Sequence, residues 1–224
     1  MKRLLVPLVA LCVVVPAVAL AADTDPKKRI DPADQAKARA VVLKRTDLGA
    51  GWKTVPPSPE ESEPTCPGYD PDSSDLTLTG QAETDVERRG GATVSSSVEV
   101  FISRSDALKS WSRAATPGLP RCLASTLRKS VEEDGGKATI VKQGRIAFPR
   151  VAPRSVAFRV GARLTLEQQG KPPVHVPITI HLVGVGRGRA DATLFTSGLG
   201  TGIPIGELRA LARVLSMRLA NAGF

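Results

Sequence analysis

The chain is poor in the residues that most often announce a function. Its 224 residues include two histidines, three cysteines, one tyrosine and two tryptophans, and aromatics make up 4%. Asn221 is the single asparagine. His175 and His181 fall in one β-periodic run, six residues and about 20 Å apart along an extended strand, so they cannot ligate one ion together. There is no G-x-S-x-G run, and no Ser-His-acid set gathers around a nucleophile motif. Few rings also argue against nucleic acid, whose binders interleave stacking aromatics with a basic stripe. Beyond the N-terminus no long apolar run occurs, so no stable membrane span is expected in the mature chain. No motif calls for a cofactor, and no metal site is expected.

What is present starts with an export address. Lys2 and Arg3 precede an apolar run over residues 4–20, and Ala19-Leu20-Ala21 is a small-x-small cleavage site. Residues 1–21 therefore read as a signal peptide. A retained anchor is the alternative, but the run is shorter than the roughly 20 residues a span needs and is interrupted by Pro7 and Pro16. Cys12 lies mid-run behind Leu11, which does not suit lipid attachment. The whole chain carries 31 basic and 22 acidic residues; losing Lys2 and Arg3 leaves 29 − 22 = +7. Such a surplus favours anionic partners in general. Abundant Ala, Arg, Gly, Val and Pro beside one Asn suit a bacterial genome rich in G and C.

Cys66 and Cys122 remain after cleavage. Outside the cytoplasm an even count reads as a disulfide, and two cysteines allow one connectivity. The bridge would close a loop of about 57 residues, worth about 4 kcal/mol in the chain-entropy model. A metal pair or redox couple would favour a C-x-x-C spacing, which is absent.

Residues 22–30 lack periodicity and read as a flexible linker, and residues 31–224 as a single α+β extracellular domain. Asp31 and Pro32 suit the N-cap and first position of a helix ending near residue 45. The glycines at 49 and 51 permit a turn that drops Trp52 onto the core. Residues 56–64 are a Pro-rich loop. Period-two alternation then predicts strands over residues 76–84, 93–102, 139–148, 155–168, 174–185 and 190–196. Ser105-Asp106 caps a helix through Ala115. Pro117, Gly118 and Pro120 break it, and a second helix carries Cys122, Leu123, Leu127 and Val131. Residues 169–171 form a hairpin turn. Pro177 argues for an edge position or a bulge in its strand. Residues 204–220 form an amphipathic helix. The fold class is α+β: a twisted antiparallel sheet of about five to six strands with helices packed on it.

Residues 47–52 (Asp-Leu-Gly-Ala-Gly-Trp), Phe101 with Ser105-Asp106-Ala107, Trp111, Arg121-Cys122, Gly188-Arg189-Ala190 and the helix from Leu208 to Leu219 resemble a group of secreted and lipid-anchored actinobacterial proteins. That group includes the PknH-like extracellular sensor domain and relatives with a PsbP-like fold. The ordered set covers most of the chain from about residue 40. The resemblance implies a PsbP-like sandwich, a place in the cell envelope, and ligand binding or sensing. The chain departs from the kinase-linked members in having no kinase domain.

Four features compete for a functional role. Asp70, Asp72, Ser74 and Asp75 look like part of a calcium loop, but counting from Asp70 the sixth and twelfth positions are Asp75 and Gln81, not Gly and an acid. Gly184, Gly186 and Gly188 suggest a phosphate loop, yet a strand is expected after them, not a helix. Trp52 and Trp111 suit core packing better than sugar stacking. The fourth is one sheet face. Opposite the apolar Val156, Phe158, Val160 and Ile180, it carries Arg159, Arg163, Thr165, Glu167, His175, Thr179 and His181. Left open, this face offers Arg159, Arg163, His175, Thr179 and His181 to an anionic ligand; covered by a helix, it holds paired charges. The expected protein is a non-enzymatic secreted binding or sensor-like domain for a small anionic, lipid or envelope ligand. A structural envelope protein acting through a protein partner is the alternative, and a hydrolase with an unrecognised site a third.

Overall fold

The period-two runs become six long strands of one sheet. In the computed structural model, residues 24–56, 66–168, 171–200 and 202–224 are described. The segment expected to be a signal peptide, most of the expected Pro-rich loop and residues 169–170, where a hairpin turn is expected, lie outside them. The long strands are β3 (Thr77–Arg88), β4 (Ala92–Phe101), β5 (Lys137–Arg145), β6 (Arg154–Gln168), β7 (Lys171–Arg187) and β8 (Ala190–Leu199). Two short strands, β1 (Lys27–Lys28) and β2 (Trp52–Val55), bring the total to eight among the described residues, against the expected five to six. Both pair with β3: β1 in parallel at Thr77 and Leu78, β2 antiparallel from Asp85 to Arg88. Two and four residues are too short to show a period, which is why the stretch expected to be a linker hides β1. The order along the sheet is β1-β3-β4-β8-β7-β6-β5, and apart from β1 every pairing is antiparallel.

Helices cover both faces. On one lie α1 (Pro32–Val41) and α4 (Ile205–Asn221). Ala38 and Val41 join Leu208, Leu211, Ala212, Leu215 and Leu219 over Val98, Val183, Val185 and Leu194 in the main core cluster, with Trp52. On the other lie α2 (Arg104–Ala114) and α3 (Gly118–Glu133). There Leu119 and Cys122 pack on Val156 and Phe158, while Ala124 meets Val160 and Ile180. The expected apolar face of the β6–β7 hairpin is thus the floor beneath α3.

Local chemistry sets the element ends. Asp31 Oδ1 accepts from the N–H groups of Ala33 and Asp34, and Pro32 opens α1. That helix stops at Val41, short of residue 45. For α2 the cap is Ser103, two residues before the expected Ser105, its Oγ accepting from Asp106 N at 3.0 Å. Pro177 sits just past Ile178, the last β7 residue paired with β8. Its missing N–H therefore costs no bond on that side. Cys66 and Cys122 form the disulfide, Cα atoms 5.4 Å apart, tying α3 to the turn before β3. No helix among the described residues is long and apolar enough to cross a membrane.

One partly buried ion pair, with Asp34 buried and Arg189 half-exposed, joins α1 to the sheet. Arg189, in the β7–β8 turn, donates from Nη2 to Asp34 Oδ1 and from Nη1 to Asp34 Oδ2, both at 2.5 Å, and to Phe101 O at 3.0 Å. Thr79 Oγ1 donates to Asp34 Oδ2 as well. These bonds, Arg189 foremost, hold the Asp34 carboxyl below the usual carboxylate range. A lowered folded pKa means stability that is present above about pH 4 and lost as the pH falls below it. Asp34→Asn should cost about 3 kcal/mol in urea unfolding at pH 7, because it leaves Arg189 without its counter-charge. The gap between wild type and variant should narrow as the pH drops from 4 toward 2. An equal gap at both ends would show that Asp34 acts by packing alone.

Candidate functional site

The β6–β7 hairpin brings the sequence-selected residues onto one face but not into one environment. Arg159 stands opposite His181, Gly161 opposite Thr179, Arg163 opposite Pro177 and Thr165 opposite His175. Near the hairpin tip, Arg163 and His175 are exposed, and His175 Nδ1 lies 3.1 Å from Thr165 Oγ1. Further along, Thr179 and His181 are only 3% and 4% exposed. The chain leaving β8 closes over them: Thr179 Oγ1 donates to Gly200 O at 3.0 Å, and a side chain at Gly202 would crowd Thr179. Arg159 is half-buried beside them. Burial first, and the neighbouring Arg159 charge second, push the His181 pKa down, so its ring is neutral at pH 7. The five residues therefore do not make one open surface. Arg163 and His175 face solvent, whereas Arg159, Thr179 and His181 belong to a covered row.

An open cationic cleft lies further along the same face. Between α4 and the segment before β6, a cleft of about 400 Å³ is lined by Arg150, Val151, Arg187, Arg213, Ser216 and Met217, with Pro149 and Ala220. Arg187 continues the inward parity of His181, Val183 and Val185 on β7. Arg213 and Met217 come from successive turns of α4, and Met217 is 56% exposed. Ser216 Oγ donates to Val151 O at 2.6 Å, which fixes the width of the cleft. Arg150 donates to Pro153 O, bracing its own loop. Among the described residues no carboxylate lines the cleft, and the buried Nε of Arg187 has no hydrogen-bond partner. The sequence reading missed this site because its three arginines come from a loop, a strand and a helix. The available signal was strand parity, had the strand been carried two residues past Val185.

The other candidates resolve into structural roles. Asp72 Oδ1 accepts from Ser74 N, and Asp75 is clamped by Arg113 and Lys109 in a second cleft of about 430 Å³. Among the described residues no group of three or more His, Cys, Asp or Glu is placed to hold a metal ion. The Gly184–Gly188 stretch makes room for side chains. A Cβ at Gly184 would lie 3.1 Å from the Trp111 ring, and one at Gly186 would strike Arg154 and Asp191. Trp52 lies in the main core and Trp111 packs beside the disulfide. Arg154 stacks 5.8 Å from the Trp111 ring and donates to Asp191 Oδ1 and to the carbonyls of Gly188 and Ala190.

The chain matches no protein-family model and no curated protein.

Asp191 supplies a pH dependence opposite to that of Asp34. Its Oδ2 is buried without a partner among the described residues, and burial, opposed by Arg154, pushes its carboxyl up to about 6. A raised folded pKa means stability that is present below about pH 4 and lost as the pH rises through 6. Asp191→Asn should remove this loss. Between pH 4 and 7 wild type should fall relative to the variant by about 3 kcal/mol in denaturant melts. Parallel pH profiles would show that Arg154 keeps Asp191 ionised throughout.

Proposed function

We propose that this chain is an exported, non-enzymatic binding domain of the bacterial cell envelope that takes a small anionic ligand in the cleft between α4 and the segment before β6. One observation carries the reading: Arg150, Arg187 and Arg213 line one cleft in which no described residue is acidic. Guanidinium groups recognise phosphate and carboxylate through paired, charge-assisted hydrogen bonds, and in a recess they are screened less than on an open surface. Exposed Met217 beside Val151 and Pro149 adds an apolar wall, which suits a ligand with an anionic head and a short apolar part. The export signal, the disulfide and the PsbP-like, sensor-domain character of the motifs support the envelope setting. Neither histidine supports hydrolysis, since His181 is covered and His175 contacts Thr165 at the hairpin tip.

Titration calorimetry of the mature, oxidised protein tests this directly. Inorganic phosphate and a soluble short-chain phosphatidylglycerol share the anionic group and differ in the tail. Binding of either, weakened at least about tenfold in the Arg187→Gln/Arg213→Gln variant, is the expected result, as for loss of two charge-assisted contacts. Tighter binding of the lipid than of phosphate would assign the apolar wall to the ligand. Absence of heat with both, or affinity unchanged in the variant, would overturn the proposal.

A further inference from the structure

Three neighbouring strands place three polar side chains in one row, each with a buried atom left unbonded. Arg159 on β6 stands opposite His181 on β7, which stands opposite Thr196 on β8. All three point to the face covered by α4 and the chain entering it. Arg159 Nε, His181 Nδ1 and Thr196 Oγ1 are buried without a hydrogen-bond partner among the described residues. Thr196 is 0% exposed and His181 4%. Side chains directly opposite on one sheet face have Cβ atoms about 5 Å apart, so a small guest held over His181 lies between Arg159 and Thr196, one strand from each. Buried polar atoms are rarely left unpaired, and three side by side indicate a shared partner.

The chemistry of the row selects that partner. Arg159 Nε and the Thr196 hydroxyl donate, and a neutral His181 donates from Nδ1 in one tautomer. The row ends in Gly144 on β5 and Val94 on β4, neither of which brings a polar side chain. Arg159 forms no ion pair among the described residues, so the row carries an uncompensated positive charge. A water molecule would need acceptors for its own two protons, whereas a monoatomic anion only accepts.

We infer that Arg159, His181 and Thr196 enclose a binding site for one halide ion beneath the N-terminal part of α4. This site goes beyond the arginine cleft and is independent of it. Arg187 lies six residues along β7 from His181, about 20 Å at the rise of a strand.

Bromide is the probe. Crystals of the mature protein grown with bromide in place of chloride should show an anomalous peak within hydrogen-bond distance of the three named atoms. In solution, bromide should raise the melting midpoint saturably over gluconate at equal ionic strength, by about 3 °C near ten times its Kd. Thr196→Val and Arg159→Gln should each abolish that rise, while Arg187→Gln/Arg213→Gln keeps it. Arg159 is half-buried, so its variant provides a second readout should Thr196→Val fail to fold. A light scatterer without anomalous signal would identify an ordered water and overturn the inference. So would a bromide response that survives Arg159→Gln.

Discussion

The placement of everything on the α1–α4 face depends on the contact between α1 and β3 at Gly80. A Cβ at Gly80 would fall 2.6 Å from the carbonyl of Asp34, so only glycine lets the helix sit this low on the strand. A register shift between Leu78 and Gly80 places Thr79 where its hydroxyl reaches Asp34. Asp34 is then buried and needs a cation. Arg189 supplies it from the far side of β4, anchored on the way by Phe101 O. Four elements distant in sequence are joined through one carboxylate. The turn that carries Arg189 also has Gly188 at φ +54°, against the backbone of the C-terminal Phe224. The Phe224 ring lies 5.6 Å from the Arg189 guanidinium and 5.2 Å from Lys37 Nζ. The end of α4 is held by the same group that holds α1.

Once α4 is fixed at that end, its other contacts follow. Arg218 donates to Val42 O and to Asp47 Oδ1, securing the flank toward α1. Ser216 secures the opposite flank to Val151. Between these ties the helix lies over β7 and β8. Its first turns and the chain before them close over Thr179 and His181, and its later turns form one wall of the arginine cleft. The covered row and the open cleft are consequences of one helix lying along one groove.

Elements with enough residues to show a period were legible in the sequence, and those made by encounter were not. Alternation in Val94, Val98 and Val100, or in Val156, Phe158 and Val160, marks a strand and its buried side without further information. The three- and four-residue spacing of Leu208, Leu211, Leu215 and Leu219 does the same for α4. The Cys66–Cys122 bridge followed from counting the cysteines outside the N-terminal run expected to be an export signal. By contrast, β1 and β2 take their form from the edge of β3 and have no pattern of their own. Arg159 and His181 could be placed together by parity, but whether that face was open or covered depended on where α4 landed. Thr196 joined them through the β7–β8 register, which the Gly-rich turn obscured. Arg150 and Arg213 carry no local mark at all: one lies in an aperiodic segment, the other among exposed helix positions.

Two groups of arginines differ in how their charge is met. Arg113, Arg154, Arg189 and Arg218 each pair with an aspartate and bond to a main-chain carbonyl, so their contacts are structural. Arg150, Arg159, Arg187, Arg209 and Arg213 have no carboxylate partner among the described residues. Four of them adjoin the covered row or the open cleft, and Arg209 lies on α4 one turn before Arg213. Three, Arg159, Arg187 and Arg209, also bury an Nε without a partner among the described residues. Cations gathered this way repel one another and leave donors unsatisfied, both of which oppose the folded state. A structural role would be served better by the pairing used at Arg154 and Arg189. On the proposed reading, an anion bound along this groove would offset the repulsion, satisfy the donors and stabilise the fold in proportion to occupancy. The unpaired arginines beside α4 are therefore the groups on which the proposed anion binding rests.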